Sequence, residues 1–300
     1  MSQRFSFESA TGLGEIVVHH WPVKAPRGLV QIVHGMQEHM QRYDAFAHFL
    51  NAHGYAVAGD DHAGHGLSTP QAPRGYFGKR DGARHLLDDL HTVQVQMQSQ
   101  YPGMPYILFG HSMGSFLARA YTARHAASLE AVIYSGSSSG NAAAPLGKLL
   151  THLHRGDTPF WLLDRIAFAP FNRRYAPVTG SEWLNRDASE VHQFLNDPLR
   201  VPCFTARGFY DLFTLLQEVS RRRWARAIPP ALPVLLLGGD GDPLGAYGKG
   251  ILRIAHRLRT AGHPDVTAVV YPGARHELLL ETNRAQVMDD ILAFLHAHGL

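Results

Sequence analysis

Short apolar runs alternate along this chain with segments of helical periodicity. Six runs rich in Val, Ile, Leu and aromatic residues predict buried strands at Leu29–Val33, Tyr55–Ala58, Tyr106–Phe109, Ala131–Tyr134, Val234–Leu237 and Val266–Tyr271. Five amphipathic segments predict helices at Tyr43–Ala52, Gly82–Gln100, Met113–His125, Gly248–Thr260 and Ala285–His298. Strands that alternate with helices predict an α/β protein with a mostly parallel sheet covered on both faces. Ligands of such sheets bind beyond the carboxyl ends of the strands.

The interval from Ser137 to Arg226 breaks this alternation. It has no clear strand pattern. Prolines divide it at Pro159, Pro170, Pro177, Pro198 and Pro202, and it contains the aromatic residues Trp161, Phe168, Phe171, Tyr175, Trp183, Phe209, Tyr210 and Phe213. We interpret residues 137–226 as a mainly helical cap over the strand ends, inserted between the core parts 1–136 and 227–300. The alternative is an irregular portion of the core domain.

Composition narrows the class of protein. The 300 residues are 45% hydrophobic and 18% charged, as in folded soluble proteins, and the formal charge of +3 is too small to suggest nucleic-acid binding. The single cysteine, Cys203, excludes an intramolecular disulfide. The N-terminal residues lack a signal-peptide pattern, and no stretch approaches the roughly 20 apolar residues of a membrane span. We expect a cytoplasmic protein with no obligate protein partner, and we leave open a transient contact of the cap with a membrane surface.

The sequence Gly110-His111-Ser112-Met113-Gly114 follows a predicted strand and precedes a predicted helix. This is the G-x-S-x-G pattern in the strand–turn–helix setting that a serine nucleophile requires. Small residues at the two glycine positions allow the sharp turn, and the helix N-terminus offers N–H groups to an oxyanion. The alternative is an ordinary strand–helix turn made of small residues.

A serine nucleophile needs a base, and the base needs an orienting acid. In chain order, an acid and then a histidine should follow Ser112. Asp240 and Asp242 follow the strand at 234–237, and His276 follows the strand at 266–271. We favour Asp242 because it lies further from the strand, although a turn carboxylate is the ordinary role of Asp beside Gly.

Two backbone N–H groups are expected to stabilise the oxyanion, those of Met113 and Met36. Met36 follows Gly35 in the loop after the first predicted parallel strand, and we interpret His34 as a core histidine. The chain's 20 histidines include three close groups, but none has the spacing of H-E-x-x-H or another familiar zinc site. We therefore expect neither a metal nor a cofactor.

Taken together, these motifs resemble the monoacylglycerol lipase and lysophospholipase family of α/β-hydrolases, which is also described as serine aminopeptidase S33-like. The resemblance rests on His34-Gly35-x-x-Glu38-His39 with Arg42-Tyr43, Asp61-x-x-Gly64-His65-Gly66-x-Ser68, Gly110-His111-Ser112-Met113-Gly114, Gly239-Asp240-x-Asp242-Pro243, and His276-Glu277 with Glu281. It implies the α/β-hydrolase fold, the triad Ser112, Asp242 and His276, and an oxyanion hole at Met36 and Met113.

One position departs from the family. Its first motif usually has a small residue and then Gly before the Glu, whereas this chain has Met36-Gln37. A backbone donor survives this change, but the bulk of Met36 is expected to narrow the acyl site.

The resemblance implies hydrolysis of a carboxylic ester of a single-chain lipid, monoacylglycerol or lysophospholipid, through an acyl-enzyme on Ser112. The alternatives are a small-ester carboxylesterase, a non-catalytic ligand-binding relative, and an aminopeptidase, which would need cap acids such as Glu182, Asp187 and Glu190 to hold an amine. A further hypothesis is that five arginines form a basic rim that binds the phosphate of a lysophospholipid: Arg173, Arg174, Arg221, Arg222 and Arg223. The alternative is that they are ordinary solvated surface residues.

Overall fold

A computed structural model describes residues 2–176 and 178–300, and a twisted sheet runs through this part of the chain. Its eight strands are β1 (Gln3–Glu8), β2 (Glu15–Trp21), β3 (Gly28–Val33), β4 (Tyr55–Asp60), β5 (Tyr106–His111), β6 (Ala131–Ser135), β7 (Val234–Gly239) and β8 (Val266–Tyr271). Their order is β1-β2-β4-β3-β5-β6-β7-β8, and only the pairs β1–β2 and β2–β4 are antiparallel. The predicted mostly parallel sheet is confirmed.

Helices cover both faces of this sheet. Those in the described residues are α1 (Asp44–Ala52), α2 (Gly82–Gln100), α3 (Met113–His125), α4 (Ala144–Leu150), α5 (Trp161–Phe168), α6 (Ala188–Asn196), α7 (Ala206–Ser220), α8 (Arg222–Arg226), α9 (Lys249–Thr260) and α10 (Arg284–Ala297). Because alternate residues of a strand point to opposite faces, Leu108 of β5 packs with α2, α3 and α9, while Phe109 packs with α1 and α10. The five predicted helices correspond to α1, α2, α3, α9 and α10.

The hairpin of β1 and β2 lies outside the predicted strands. Two buried histidines interrupt the apolar run of β2, which hides its burial from a pattern based on hydrophobicity. Each has one long-range partner: His19 Nε2 lies 3.2 Å from Asp61 Oδ2, and His20 Nε2 lies 3.0 Å from the Tyr101 hydroxyl. The hairpin extends the sheet by two antiparallel strands on the side away from β8.

Residues 137–226, here called the cap segment, connect β6 to β7 and contribute helices α4 to α8. The two strands are neighbours in the sheet, so the segment leaves and re-enters the core at adjacent points. The boundaries of the cap as a separate domain stay a prediction. No helix among the described residues combines the length and apolar character needed to cross a bilayer.

Two arginines join the entry and the exit of the cap segment. Arg119 of α3 is fully buried and donates hydrogen bonds to the carbonyl oxygens of Ser138 (2.8 Å) and Val219 (2.6 Å). Arg257 of α9 donates to the carbonyl oxygens of Ser139 (2.8 Å) and Ser220 (3.0 Å). Main-chain carbonyls on both crossings are therefore held by side chains of the core.

Candidate active site

Ser112 lies on a sharp turn between β5 and α3. Its backbone has φ +53° and ψ −120°, a conformation that side-chain-bearing residues rarely adopt. A Cβ on Gly110 would collide with the carbonyl of Gly114, and a Cβ on Gly114 would collide with the carbonyl of Val33. The turn therefore requires glycine at both positions, as the sequence motif predicts.

The side chains of Ser112, His276 and Asp242 form a continuous hydrogen-bonded chain. His276 Nε2 lies 2.8 Å from Ser112 Oγ, and His276 Nδ1 lies 3.0 Å from Asp242 Oδ2. The other oxygen of Asp242 accepts a hydrogen bond from the Leu244 N–H at 2.9 Å. Asp242 and His276 are 1% and 2% exposed, so this chain is shielded from water. The arrangement suits proton transfer from the serine hydroxyl to the imidazole.

Asp240 has a different position. Its Oδ1 accepts a hydrogen bond from the Gly273 N–H at 2.6 Å, which ties the loop after β7 to the loop after β8. The structure thus brings Asp242 to the histidine and places Asp240 in a turn between two loops.

The electrostatic surroundings of His276 favour its protonated form. Burial by itself lowers the pKa of His276, but the charge of Asp242 and its hydrogen bond outweigh burial, so the pKa is raised above its ordinary value of 6.5. The neighbouring His111, whose ring centroid lies 4.8 Å from that of His276, shows the opposite behaviour. Burial and then the charge of His276 lower the pKa of His111 to about 3. His111 is therefore neutral at physiological pH, and its ring packs against the base without competing for its proton.

Met36 and Met113 line the same cavity as Ser112, and their backbone N–H groups are the expected oxyanion donors. Neither donates a hydrogen bond to another residue within 2–176 or 178–300. Gly35 brings its loop against the serine, since a Cβ on Gly35 would lie only 3.1 Å from Ser112 Cβ. Two free N–H groups beside a serine hydroxyl form a site able to accept a developing oxyanion.

A buried ion network supports this loop. Glu38 Oε1 accepts hydrogen bonds from the Gly35 N–H (2.5 Å) and the Tyr43 hydroxyl (2.8 Å). Arg42 Nη1 lies 3.0 Å from Glu38 Oε2 and 2.7 Å from Glu277 Oε1. The network therefore connects the Met36 loop to the residue that follows His276. Its paired charges were not expected from the sequence, although Glu38, Arg42 and Glu277 all lie in the motifs that carry the family resemblance.

The cavity above Ser112 has a volume of about 300 Å³ and mostly apolar walls. Its apolar lining comes from core and cap: Met36, Phe116, Phe168, Trp183, Leu184, Phe194, Leu212 and Leu244. Trp183 also packs on the ring of His276, with 4.9 Å between the centroids. Of the cap aromatics noted in the sequence, Phe168 and Trp183 line the cavity, while Trp161 is 57% exposed.

Gln37, Asp164 and Arg200 form a polar group on the cavity wall. The Gln37 side-chain amide donates to Asp164 Oδ1 at 3.2 Å, and Arg200 Nη2 donates to Gln37 Oε1 at 3.1 Å. Gln37 has φ +67°, a left-handed conformation that favours glycine. Burial raises the pKa of Asp164 to about 6, although Arg200 opposes this shift. Gln37, which stands where the family motif usually has glycine, thus connects the loop of Met36 to two residues of the cap segment.

Other residues singled out in the sequence lie elsewhere. The lining of this cavity includes none of the acids proposed to hold an amine (Glu182, Asp187 and Glu190) and none of the proposed rim arginines (Arg173, Arg174, Arg221, Arg222 and Arg223). Its arginines are Arg165 and Arg200. No group of three or more His, Cys, Asp or Glu side chains in the described part of the chain is arranged to hold a metal ion.

Comparison with known proteins agrees with this geometry. The family model described as "Serine aminopeptidase, S33", a hydrolase family, matches residues 24–283. The chain is 30% identical to a monoacylglycerol lipase of Mycolicibacterium smegmatis over 99% of both chains. It is 28% identical to the human monoglyceride lipase, over 86% of this chain and 78% of the relative.

Comparison of the fold with solved structures also identifies a hydrolase. A crystal structure of a thermostable carboxyl esterase from Bacillus coagulans, in complex with glycerol, superposes with a TM-score of 0.93. The two share 32% sequence identity, and the match covers 100% of this chain and 99% of the esterase. The predicted α/β-hydrolase fold is confirmed. Since the family model spans strands β3 to β8, the cap segment and all three hydrogen-bonded side chains, the chain belongs to the serine aminopeptidase S33 family of hydrolases.

Proposed function

We propose that this protein hydrolyses a carboxylic ester of a single-chain lipid, a monoacylglycerol or a lysophospholipid, with Ser112 as nucleophile. The observation that carries the proposal is the hydrogen-bonded chain of Ser112, His276 and Asp242 opening into an apolar cavity. The relatives named monoacylglycerol lipase and the carboxyl esterase of the same fold support an ester substrate.

The geometry supports a two-step mechanism. Ser112 Oγ attacks the acyl carbon while its proton passes to His276 Nε2, and the N–H groups of Met36 and Met113 stabilise the oxyanion. His276 then gives its proton to the leaving alcohol, which departs and leaves the acyl group on Ser112. In the second step His276 takes a proton from water, the resulting hydroxide attacks the acyl carbon, and the fatty acid is released as Ser112 recovers its proton.

The cavity walls favour an acyl chain. Phe168, Trp183 and Phe194 offer aromatic surface, and each buried methylene adds about 0.8 kcal/mol of binding until the cavity is filled. An aminopeptidase would instead need a carboxylate free to hold an amine. Glu38 and Glu277 at the cavity are paired with Arg42. The third carboxyl group there, that of Asp164, accepts a hydrogen bond from Gln37, and burial raises its pKa to about 6, so the described lining of the cavity holds no carboxylate that is both charged and free.

We also propose a transient contact of the cap segment with a membrane or micelle surface. Helices α4 and α5 and the turn after α4 expose several large apolar side chains: Leu146, Leu149, Leu153, Trp161, Leu162 and Ile166. A shallow groove beside α5 contains Leu162 and Ile166 together with Arg165, which also borders the cavity of Ser112. A lipid monomer leaving the surface at this groove would have a short path to the nucleophile.

The main experiment compares wild type with Ser112→Ala. We expect a fluorophosphonate probe to label wild type and not the variant, and turnover of a monoacylglycerol to fall by several orders of magnitude. The kcat/KM of wild type should rise with acyl length and then level off as the cavity fills. Retention of a tenth of the turnover in Ser112→Ala would overturn the nucleophile. A profile that peaks at acetyl esters would make the protein a small-ester carboxylesterase.

The membrane contact is tested by co-sedimentation with phosphatidylcholine vesicles. The variant Leu162→Ser/Ile166→Ser should lose vesicle binding and keep its turnover of a water-soluble ester. A matched control, Val95→Ser/Leu252→Ser, removes two exposed apolar side chains outside the cap segment. Equal vesicle binding by both double variants would contradict the proposal.

A further inference from the structure

A second concave surface lies between α8 and α9. The groove has a volume of about 510 Å³ and shares no lining residue with the cavity of Ser112. Its basic lining consists of Arg222 and Arg226 from α8, and Arg253, His256 and Arg257 from α9. Ser220, Thr260 and Ala261 complete it. Four arginines therefore line one depression.

Six arginines among the described residues form ion pairs with carboxylates, and the four arginines of the groove are not among them. None of the four forms an ion pair with a carboxylate in the described residues. By contrast, Arg84 and Arg155, with side chains about 80% exposed, still lie 3.7 Å and 3.6 Å from Asp88 and Asp157. The groove therefore differs from the surroundings of Arg84 and Arg155, because its four arginines lie together with no carboxylate of the described residues within ion-pair distance.

Arg257 is held in place at the base of this positive groove. Its guanidinium is half-buried and bonded to the carbonyl oxygens of Ser139 and Ser220. Burial, and then the charges of Arg222 and Arg253, lower the pKa of Arg257 below its ordinary value. The three cations are therefore close enough to repel one another, and an anion between them would relieve that repulsion.

We propose that this groove binds a ligand carrying two or more phosphate groups. A guanidinium presents parallel N–H donors that match the oxygens of a phosphate, and Arg prefers such bidentate contacts. Four arginines spread around about 510 Å³ suit several phosphates on one molecule. The ligand is a soluble polyphosphate compound, and phosphate headgroups of a membrane are the alternative source of the same chemistry.

Because of the position of Arg257, binding of this ligand would affect the attachment of the cap segment. The two carbonyl partners of Arg257 lie at the start and the end of the cap segment, so a bound anion would act on the residue that joins both crossings. Ligand that binds only the folded chain also raises its melting temperature by mass action. The groove is thus placed to couple an anion to the attachment of the cap.

The test is calorimetric titration of the whole protein with inorganic pyrophosphate at low ionic strength. We expect saturable one-to-one binding that weakens as salt is raised. The variant Arg226→Ala/Arg253→Ala should lower the affinity at least 10-fold, because it removes two charge-assisted contacts. The control variant Arg84→Ala/Arg155→Ala removes the same net charge from exposed sites elsewhere and should bind as wild type does.

Three results would overturn the proposal. Equal affinity of both double variants would place pyrophosphate outside the groove. Equal affinity of wild type for inorganic phosphate and pyrophosphate would reduce the ligand to a single phosphate. Groove-dependent binding to vesicles that contain phosphatidylglycerol, without binding of pyrophosphate, would assign the arginines to lipid headgroups. The groove variants are expected to keep wild-type ester hydrolysis, so these outcomes are independent of the role proposed for Ser112.

Discussion

The Oδ2 atom of Asp242 lies 3.0 Å from the Nδ1 atom of His276. We expect Asp242→Asn to lower kcat by roughly 10⁴-fold, because the amide no longer holds the imidazole in the required tautomer. Asp240→Asn is the matched control, since its side chain bonds the Gly273 N–H through an oxygen that asparagine retains. The measurement is kcat on a soluble ester for both variants. A larger loss in Asp240→Asn would reassign the acid.

The backbone of Ser112 predicts a stabilising substitution. Its conformation, φ +53° and ψ −120°, suits glycine and costs a side-chain-bearing residue about 1–3 kcal/mol. Ser112→Gly should therefore have a free energy of unfolding at least about 1 kcal/mol higher than Ser112→Ala, as measured by urea denaturation. The control is Ala123→Gly within α3, which should lower the free energy of unfolding by about 1 kcal/mol. Equal stability of the two Ser112 variants would show that the turn stores no backbone strain.

The charge on Asp242 predicts the acid limb of the pH–rate profile. Hydrolysis needs neutral His276, and its pKa is raised, so activity should be lost as the pH falls through a midpoint above 6.5. In Asp242→Asn the raising charge is gone, and the limb of the residual kcat/KM should move to lower pH. Asp164→Asn is the control, because Asp164 also borders the cavity and has a pKa of about 6. If the acid limb moved in Asp164→Asn and stayed in place in Asp242→Asn, the titrating group would be Asp164 and not His276.

Gln37 predicts a separation of two substrates with the same acyl chain. Gln37→Gly relieves the left-handed backbone, but it removes the side chain that holds Asp164 and Arg200 on the cavity wall. We expect KM for a monoacylglycerol to rise about 10-fold, the equivalent of one hydrogen bond to a charged group. The KM for the ethyl ester of the same fatty acid, which has no free hydroxyl groups, should stay unchanged. An equal rise for both esters would mean that Gln37 acts on the cap as a whole.

Much of this fold could be predicted from local patterns. The parallel strands β3 to β7 are mainly apolar, because a parallel sheet covered on both faces buries both sides of each inner strand. The edge strand β8 is also mainly apolar, although it is partly exposed. Of the two strands that escaped prediction, β1 is largely exposed, and the burial of β2 depends on distant partners. In β2, His19 is buried because Asp61 faces it, and no pattern within Glu15–Trp21 contains that information.

The active site likewise combines residues that local patterns predict with residues whose roles depend on distant contacts. Ser112 and His276 follow from turn chemistry and strand position, both of which are local. Spacing favoured Asp242 over Asp240 only weakly, and the structure separates them because each meets a different loop. The contact of Gln37 with Asp164 joins residues 127 positions apart, so it depends on how the cap segment packs on the core.

The crossings held by Arg119 and Arg257 have a consequence for how this scaffold can change. The cap segment departs from β6 and returns to the adjacent β7, and neither Ser112, Asp242 nor His276 belongs to it. A shorter, longer or foreign sequence grafted between these two crossings would meet the same anchoring side chains and leave the register of both strands intact. The part of the binding cavity that the cap segment contributes is therefore exchangeable, and a graft that preserved the two crossings would give an unaltered Ser112 a new choice of substrates.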